Sequence, residues 1–237
     1  MLPQPASILV PGGLAGLTLL VAAGWVWICA QTDASGRRTR ALGAAALLAV
    51  WMTVAWTLAH VGVLARFDAT PPPFLVLVAL SVAAAASVGF SSLGSRLAAG
   101  TSLAVLVGFQ AFRLPLELVM HRAAVEGVMP LQMSWSGRNF DVATGIGAAI
   151  VGLWLALGRP PRAVVWLWNL AGLALLVNVV GVAVASLPRF HAFGTDPAAL
   201  NTWVAYPPYV WLPTILVPSA LLGHILVTRR LLQQTAQ

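Results

Sequence analysis

The 237-residue sequence has no lysine, and its charge is carried by 13 arginines and six acids. Charged residues make up 8% of the chain, against about 25% in an ordinary soluble domain. A water-facing fold so poor in charge would expose large apolar patches and aggregate. Without lysine there is no Schiff-base amine on any side chain, which excludes a retinal-type pigment. Cys29 is the single cysteine, so an intramolecular disulfide is excluded, and it reads as a small apolar residue near the end of a span. No HExxH string or comparable metal signature occurs.

What the chain has instead is apolar length. Hydrophobic residues are 59% of it, and the mean hydropathy is +0.89. Segments near 8–30, 41–64, 73–90, 101–120, 142–157, 163–187 and 211–226 are predominantly apolar, seven in all. A crossing helix needs about 20 such residues, and 142–157 is the shortest candidate. The expected fold is therefore all-α, a polytopic transmembrane bundle in one domain over residues 1–237. The first apolar stretch lacks a basic n-region and is too long for a signal-peptide core, so it is expected to be a retained helix. The formal charge of +7 does not indicate nucleic acid, because the arginines sit in short loops and no soluble basic domain exists. The all-Arg usage, with abundant Ala, Gly and Val, reads as coding bias of a GC-rich genome.

Arginine placement predicts orientation. Arg37, Arg38, Arg40, Arg96, Arg159, Arg162, Arg229 and Arg230 fall on one side of the expected spans. Arg66, Arg122, Arg138 and Arg189 fall on the other, with Arg113 inside a span. The positive-inside rule puts the N-terminus outside and the C-terminus in the cytoplasm, as an odd number of spans requires. Of the acids, only Asp33 is on the inner side. The outer loops 65–73, 121–141 and 188–210 are longer and rich in proline and aromatics, which directs the search for function to that face. Trp25, Trp27, Trp203 and Trp211 lie near span ends and read as interfacial anchors.

The fourth span carries the costliest residues. Gln110, Arg113, Glu117 and His121 are spaced by 3, 4 and 4, which places them in one narrow helical stripe. Arg113 can pair with Glu117, and Glu117 with His121. Such a stripe is expected to face the bundle interior or a wet cavity rather than lipid. It reads either as an ion pair that fixes helix docking or as a site for a substrate, ion or proton. A metal held by His60, Glu117 and His121, or with His191 as the third ligand, is a weaker alternative. Pro115 removes a backbone hydrogen bond in the same stretch and is expected to kink it.

The turn Gly137-Arg138-Asn139-Phe140-Asp141 sets a cation, an amide and an anion before the fifth span. Asp141 reads as a helix N-cap. Arg138 can grip a carboxylate or phosphate with its planar fork, or snorkel to a lipid phosphate. The segment from Met129 to Ser136 reads as a re-entrant or interfacial loop. Asn169 and Asn178 fall on opposite faces of the sixth span and read as interhelical glue. His60 reads as a packed histidine, His191 as solvated, and His224 as interfacial near the cytoplasmic end of the last span. Pro207, Pro208, Pro213 and Pro218 predict an extended lead-in and a bent last helix.

Three strings taken together resemble a family. They are Gly108-Phe109-Gln110-Ala111-Phe112-Arg113 with Glu117, the turn Gly137 to Asp141, and Pro208-Tyr209-Val210-Trp211-Leu212-Pro213 followed by His224. In this order they resemble an uncharacterised family of bacterial multi-pass membrane proteins, as does the Pro71-Pro72 pair. The resemblance covers most of the chain beyond the second span. It implies a seven-helix inner-membrane protein and brings no activity, cofactor or catalytic residue with it. At Met133-Ser134-Trp135-Ser136 the chain departs from the family pattern, so no role for an acidic residue there carries over.

The function expected from these residues is binding or transport of a small polar solute, ion or lipid headgroup. Its outer-facing intramembrane site would be built from Gln110, Arg113, Glu117, His121, Arg138, Asn139 and Asp141. One alternative is a membrane enzyme acting on a lipid-like substrate, with Glu117 and His121 as acid and base. Another is an accessory subunit of a membrane complex, whose partners would be other membrane proteins or further copies of the chain. The bilayer itself is the one partner every reading shares. The cofactor, if any, is not legible.

Overall fold

The computed structural model describes residues 6–31 and 36–233, so Asp33 lies outside the described residues. Every regular element among them is helical. In chain order these are α1 (Leu9–Gln31), α2 (Arg37–His60), α3 (Pro73–Phe90), α4 (Ser92–Gly100), α5 (Leu103–Phe109), α6 (Arg113–Val125), α7 (Val142–Leu157), α8 (Arg162–Ala185) and α9 (Val217–Gln233). A 3-10 turn, Gln110–Phe112, joins α5 to α6, and a π-helical turn, Leu212–Leu216, leads into α9. Six helical stretches are long and apolar enough to cross a membrane, α5 and α6 counting as one.

The helices are apolar on nearly every side, as a bilayer-embedded bundle requires. Leu47, Val50 and Val54 of α2 and Leu167, Leu170 and Val177 of α8 point out of the bundle. In water this surface would aggregate; against acyl chains it costs nothing. α9 is the central helix and packs on α3, α4, α5 and α8. α2 buries only Met52, Ala55 and Ala59 and lies mainly along α1.

Two features differ from the sequence expectation, and the shortest expected span keeps its expected bounds. The connection after α3, expected as a short loop around Arg96, is instead the amphipathic α4, capped by the Ser91 hydroxyl, which accepts from the amides of Leu93 and Gly94. Trp25 and Trp203 are not interfacial anchors. Both are buried, Trp25 edge-on to Phe109 at 5.1 Å and Trp203 beside Tyr209 at 4.8 Å. α7, the expected fifth span, has 16 residues, about 24 Å at 1.5 Å per residue, which is short of a ~30 Å hydrocarbon core. Its N-terminus is enclosed by the bundle, with Asp141 buried. The preceding loop turns inward, burying Met129, Met133, Ser134 and Asn139.

Close helix approach sets these positions. A Cβ at Gly145 of α7 would lie 2.4 Å from the Leu114 nitrogen, and one at Gly152 would lie 2.7 Å from the Gly108 Cα. The two glycines let α7 pack directly on the α5–α6 backbone, the small-residue mode favoured where lipid offers no hydrophobic drive for helix association. Pro115 lacks the N–H that would bond the Ala111 carbonyl four residues back, and the 3-10 turn falls at that point.

The arginines at one end of the bundle are structural ties. Arg229 donates to the carbonyls of Gly89 (2.6 Å) and Ser91 (2.8 Å) and to the Ser95 hydroxyl, and so caps the C-terminus of α3 with a cation. Arg230 reaches the Ala99 carbonyl at 3.1 Å, and Arg162 the Leu231 carbonyl at 2.6 Å. At the opposite end, Glu126 accepts from the Ser7 amide (2.7 Å) and hydroxyl (2.6 Å) and from Arg122.

The Ser7 hydroxyl and amide, with Arg122, hold the Glu126 carboxyl below its ordinary value of 4.5. A carboxyl lowered by folding stabilises the fold above its unfolded pKa, and that contribution is lost as pH falls through the lower folded value. Unfolding titrations in detergent between pH 3 and pH 6, pH values that bracket the ordinary carboxylate range of about 4.3, should show an acid-side loss that Glu126→Gln removes. An identical pH profile for the variant would contradict this tie.

Candidate functional site

Gln110, Arg113 and Glu117 face inward and are at most 1% exposed. The stripe therefore points into the bundle, as its spacing predicts. The pairing within it is different from the expected one. Arg113 does not pair with Glu117 one turn away. It grips Asp141, 28 residues on, with Nε donating to Oδ2 at 2.6 Å and Nη2 to Oδ1. A two-pronged carboxylate matches the planar fork better than an i,i+4 neighbour on the same helix can. Asp141 precedes α7 but makes no side-chain cap, so the capping expectation gives way to this ion pair.

The third engaged nitrogen of Arg113, Nη1, lies 2.7 Å from Nε2 of His224. His224 Nδ1 lies 2.9 Å from Asn169 Oδ1. Asn169 Nδ2 donates to the Thr228 hydroxyl at 2.8 Å, and that hydroxyl donates to the His224 carbonyl at 2.9 Å. These directions leave one consistent tautomer, with the proton on Nδ1 and Nε2 accepting from Arg113. His224 is fully buried, not interfacial as its place in the sequence suggested. Gly172 makes room for the ring: a Cβ there would lie 2.5 Å from His224 Cε1.

Glu117 has a neutral partner. Asn139 Nδ2 lies 2.9 Å from each Glu117 oxygen and 3.0 Å from the Met133 carbonyl. Asn139 Oδ1 accepts from the Asp141 amide at 2.9 Å, which fixes the orientation of the side-chain amide. The inward-turned loop thus brings Asn139 to Glu117 and Asp141 to Arg113 in adjacent contacts. Gln110 donates to the Ala220 carbonyl of α9 at 3.2 Å.

A cavity of about 80 Å³ borders this cluster, lined by Arg113, Glu117 and Asp141 on one wall and otherwise by residues such as Phe74, Leu116 and Met120. Asn201, from the loop before the last span, lines it too. One water needs about 10–15 Å³ of such space, so the cavity takes several waters or one small solute. A larger cleft of about 610 Å³ lies under α2, around Trp51, Ser81 and Leu222, and includes no residue of the stripe.

Three candidate residues lie outside this constellation. Arg138 is exposed and sits over the Phe193 ring at 5.1 Å. His121 is half-buried and stacks on Trp135 at 4.2 Å, so the Glu117–His121 pair does not form. His60 is exposed at the end of α2. Among the described residues no group of three His, Cys, Asp or Glu side chains could hold a metal ion. His224, Asn169, Thr228 and Asn201 were not expected in the site. His224 and Thr228 share an i,i+4 face of an apolar helix, a signal too weak to single them out. Asn178 donates to the Arg138 carbonyl at 2.8 Å, acting as glue to a loop rather than to a helix.

The chain belongs to the family described as a domain of unknown function (DUF8737), matched over residues 71–232. That range begins after α2 and takes in all three strings noted in the sequence. No curated protein and no solved structure matches the chain.

Proposed function

We propose that this DUF8737 member binds, and as a transporter passes, a small polar solute at the cavity beside Arg113, Glu117 and Asp141. One observation supports the reading above the others: buried ionisable side chains border a mostly apolar space inside the bundle. Charges at that depth are costly and mark functional pathways more often than mere packing. In this reading α7 is a seventh, short span, and the arginine-rich end faces the cytoplasm of a bacterial inner membrane. The site then lies in the outer half. The cavity is flanked by α3 and α8, with the half-buried Val78 and Val180 among its lining residues, and this edge is the side entrance for the solute.

The test is ligand-dependent stabilisation of purified full-length protein across a panel of ions and metabolites. Val180→Trp, at the half-buried edge, is expected to abolish any ligand-dependent rise above the variant's own unliganded melting temperature. A panel without effect on the wild type, or the same rise in Val180→Trp, would count against the reading.

A further inference from the structure

We infer that the solute is a small cation with N–H donors, an ammonium group on a short alkyl body, held by Glu117 and Asn201. This rests on the binding reading above and narrows it to a substrate class.

Charge balance is the first argument. Arg113 is matched by Asp141 through both carboxylate oxygens, and a further nitrogen is engaged by His224. His224 Nε2, accepting from Arg113, adds no charge. Glu117 is then a second buried carboxylate whose hydrogen-bond partner is one neutral amide group. An anion entering the cavity would meet the Glu117 carboxyl and an arginine whose charge Asp141 already matches. A cation would take the place of a proton on Glu117 and complete the balance.

Hydrogen-bond inventory is the second argument, and it is independent of charge. The Asn201 side-chain amide donates to the Ala183 carbonyl at 3.0 Å, which identifies its other atom as the oxygen. That oxygen is buried without a partner, although Asn201 is 2% exposed and lines the cavity. The two Glu117 oxygens share one Asn139 nitrogen, so most of their acceptor capacity is unused. Buried acceptors left without donors are destabilising. The cavity therefore offers acceptors and calls for a donor, while Phe74, Leu116 and Met120 suit a short hydrocarbon body. Phe74 and Phe112 also line the space, and aromatic rings attract cations.

Propylammonium, propionate and 1-propanol have similar bulk and differ in charge and donors. With full-length protein in nanodiscs, only propylammonium is expected to raise the melting temperature and to give saturable binding. Glu117→Gln should weaken that binding at least about tenfold, the loss of one charge-assisted contact. Asn201→Ala should weaken it several-fold and serves if Glu117→Gln does not fold. The same ammonium group can arrive free or on a lipid headgroup. Nanodiscs of ethanolamine lipid against choline lipid separate the two, since a headgroup ligand would stabilise the protein before any propylammonium is added. Stabilisation by propionate or 1-propanol instead would overturn the cation assignment and leave a binding site standing. No response to any probe or to the wider panel would overturn both. Propylammonium binding equally well to both variants would place it elsewhere and sink the assignment.

Discussion

Arg113→Ala is expected to cost about 3–5 kcal/mol of folding free energy, because it leaves the Asp141 carboxylate buried without its partner. The arginine is 1% exposed and joins three segments: α6, the start of α7 through Asp141, and α9 through His224. Its removal orphans the His224 Nε2 as well. The compensating experiment is Arg113→Met with Asp141→Leu, which removes both charges and keeps apolar volume. Replacing a whole buried pair by hydrophobic groups is often neutral or stabilising, so this double variant should recover most of the loss. Reversible unfolding in mixed micelles measures both. A single-variant cost under about 1 kcal/mol, typical of exposed ion pairs, would mean that the pair is solvated.

Gly145→Ala is the second large effect. The new Cβ would lie 2.4 Å from the Leu114 nitrogen and 2.9 Å from its Cα, both backbone atoms that cannot rotate away. α7 must move off α6, at a cost of about 1–3 kcal/mol for the added methyl. Asp141 precedes Gly145 by one turn of the same helix, so the shift also draws the carboxylate away from Arg113. The two sites are therefore expected to be coupled. In the Arg113→Met, Asp141→Leu background the same glycine substitution should cost measurably less, by 0.5 kcal/mol or more in a double-mutant cycle. Additive costs would show that α7 docks independently of the ion pair.

These two expectations mark where sequence reasoning reached and where it stopped. The spacing of Gln110, Arg113 and Glu117 placed them on one inward face, and all three are buried. The same spacing suggested the wrong partners, because i,i+4 neighbours are the pairs a single helix makes visible. Glu117 turned to Asn139 and Arg113 to Asp141, both on a loop that folds back into the bundle. Asp141 looked like a cap because it stands directly before a helix, and nothing local reveals that its side chain is taken by another segment. His224 looked peripheral from its distance to Arg229 and Arg230, yet α9 is the most enclosed span.

By itself the sequence determined the solvent, the helices and the inward face of the polar stripe, because hydropathy and the 3.6-residue period act within one helix. Tertiary structure alone decided which buried group answers which. Asp141 is 28 residues from Arg113 and His224 is 111. Contacts that distant depend on how closely whole helices can approach, and that was settled by backbone-to-backbone packing at Gly145 and Gly152.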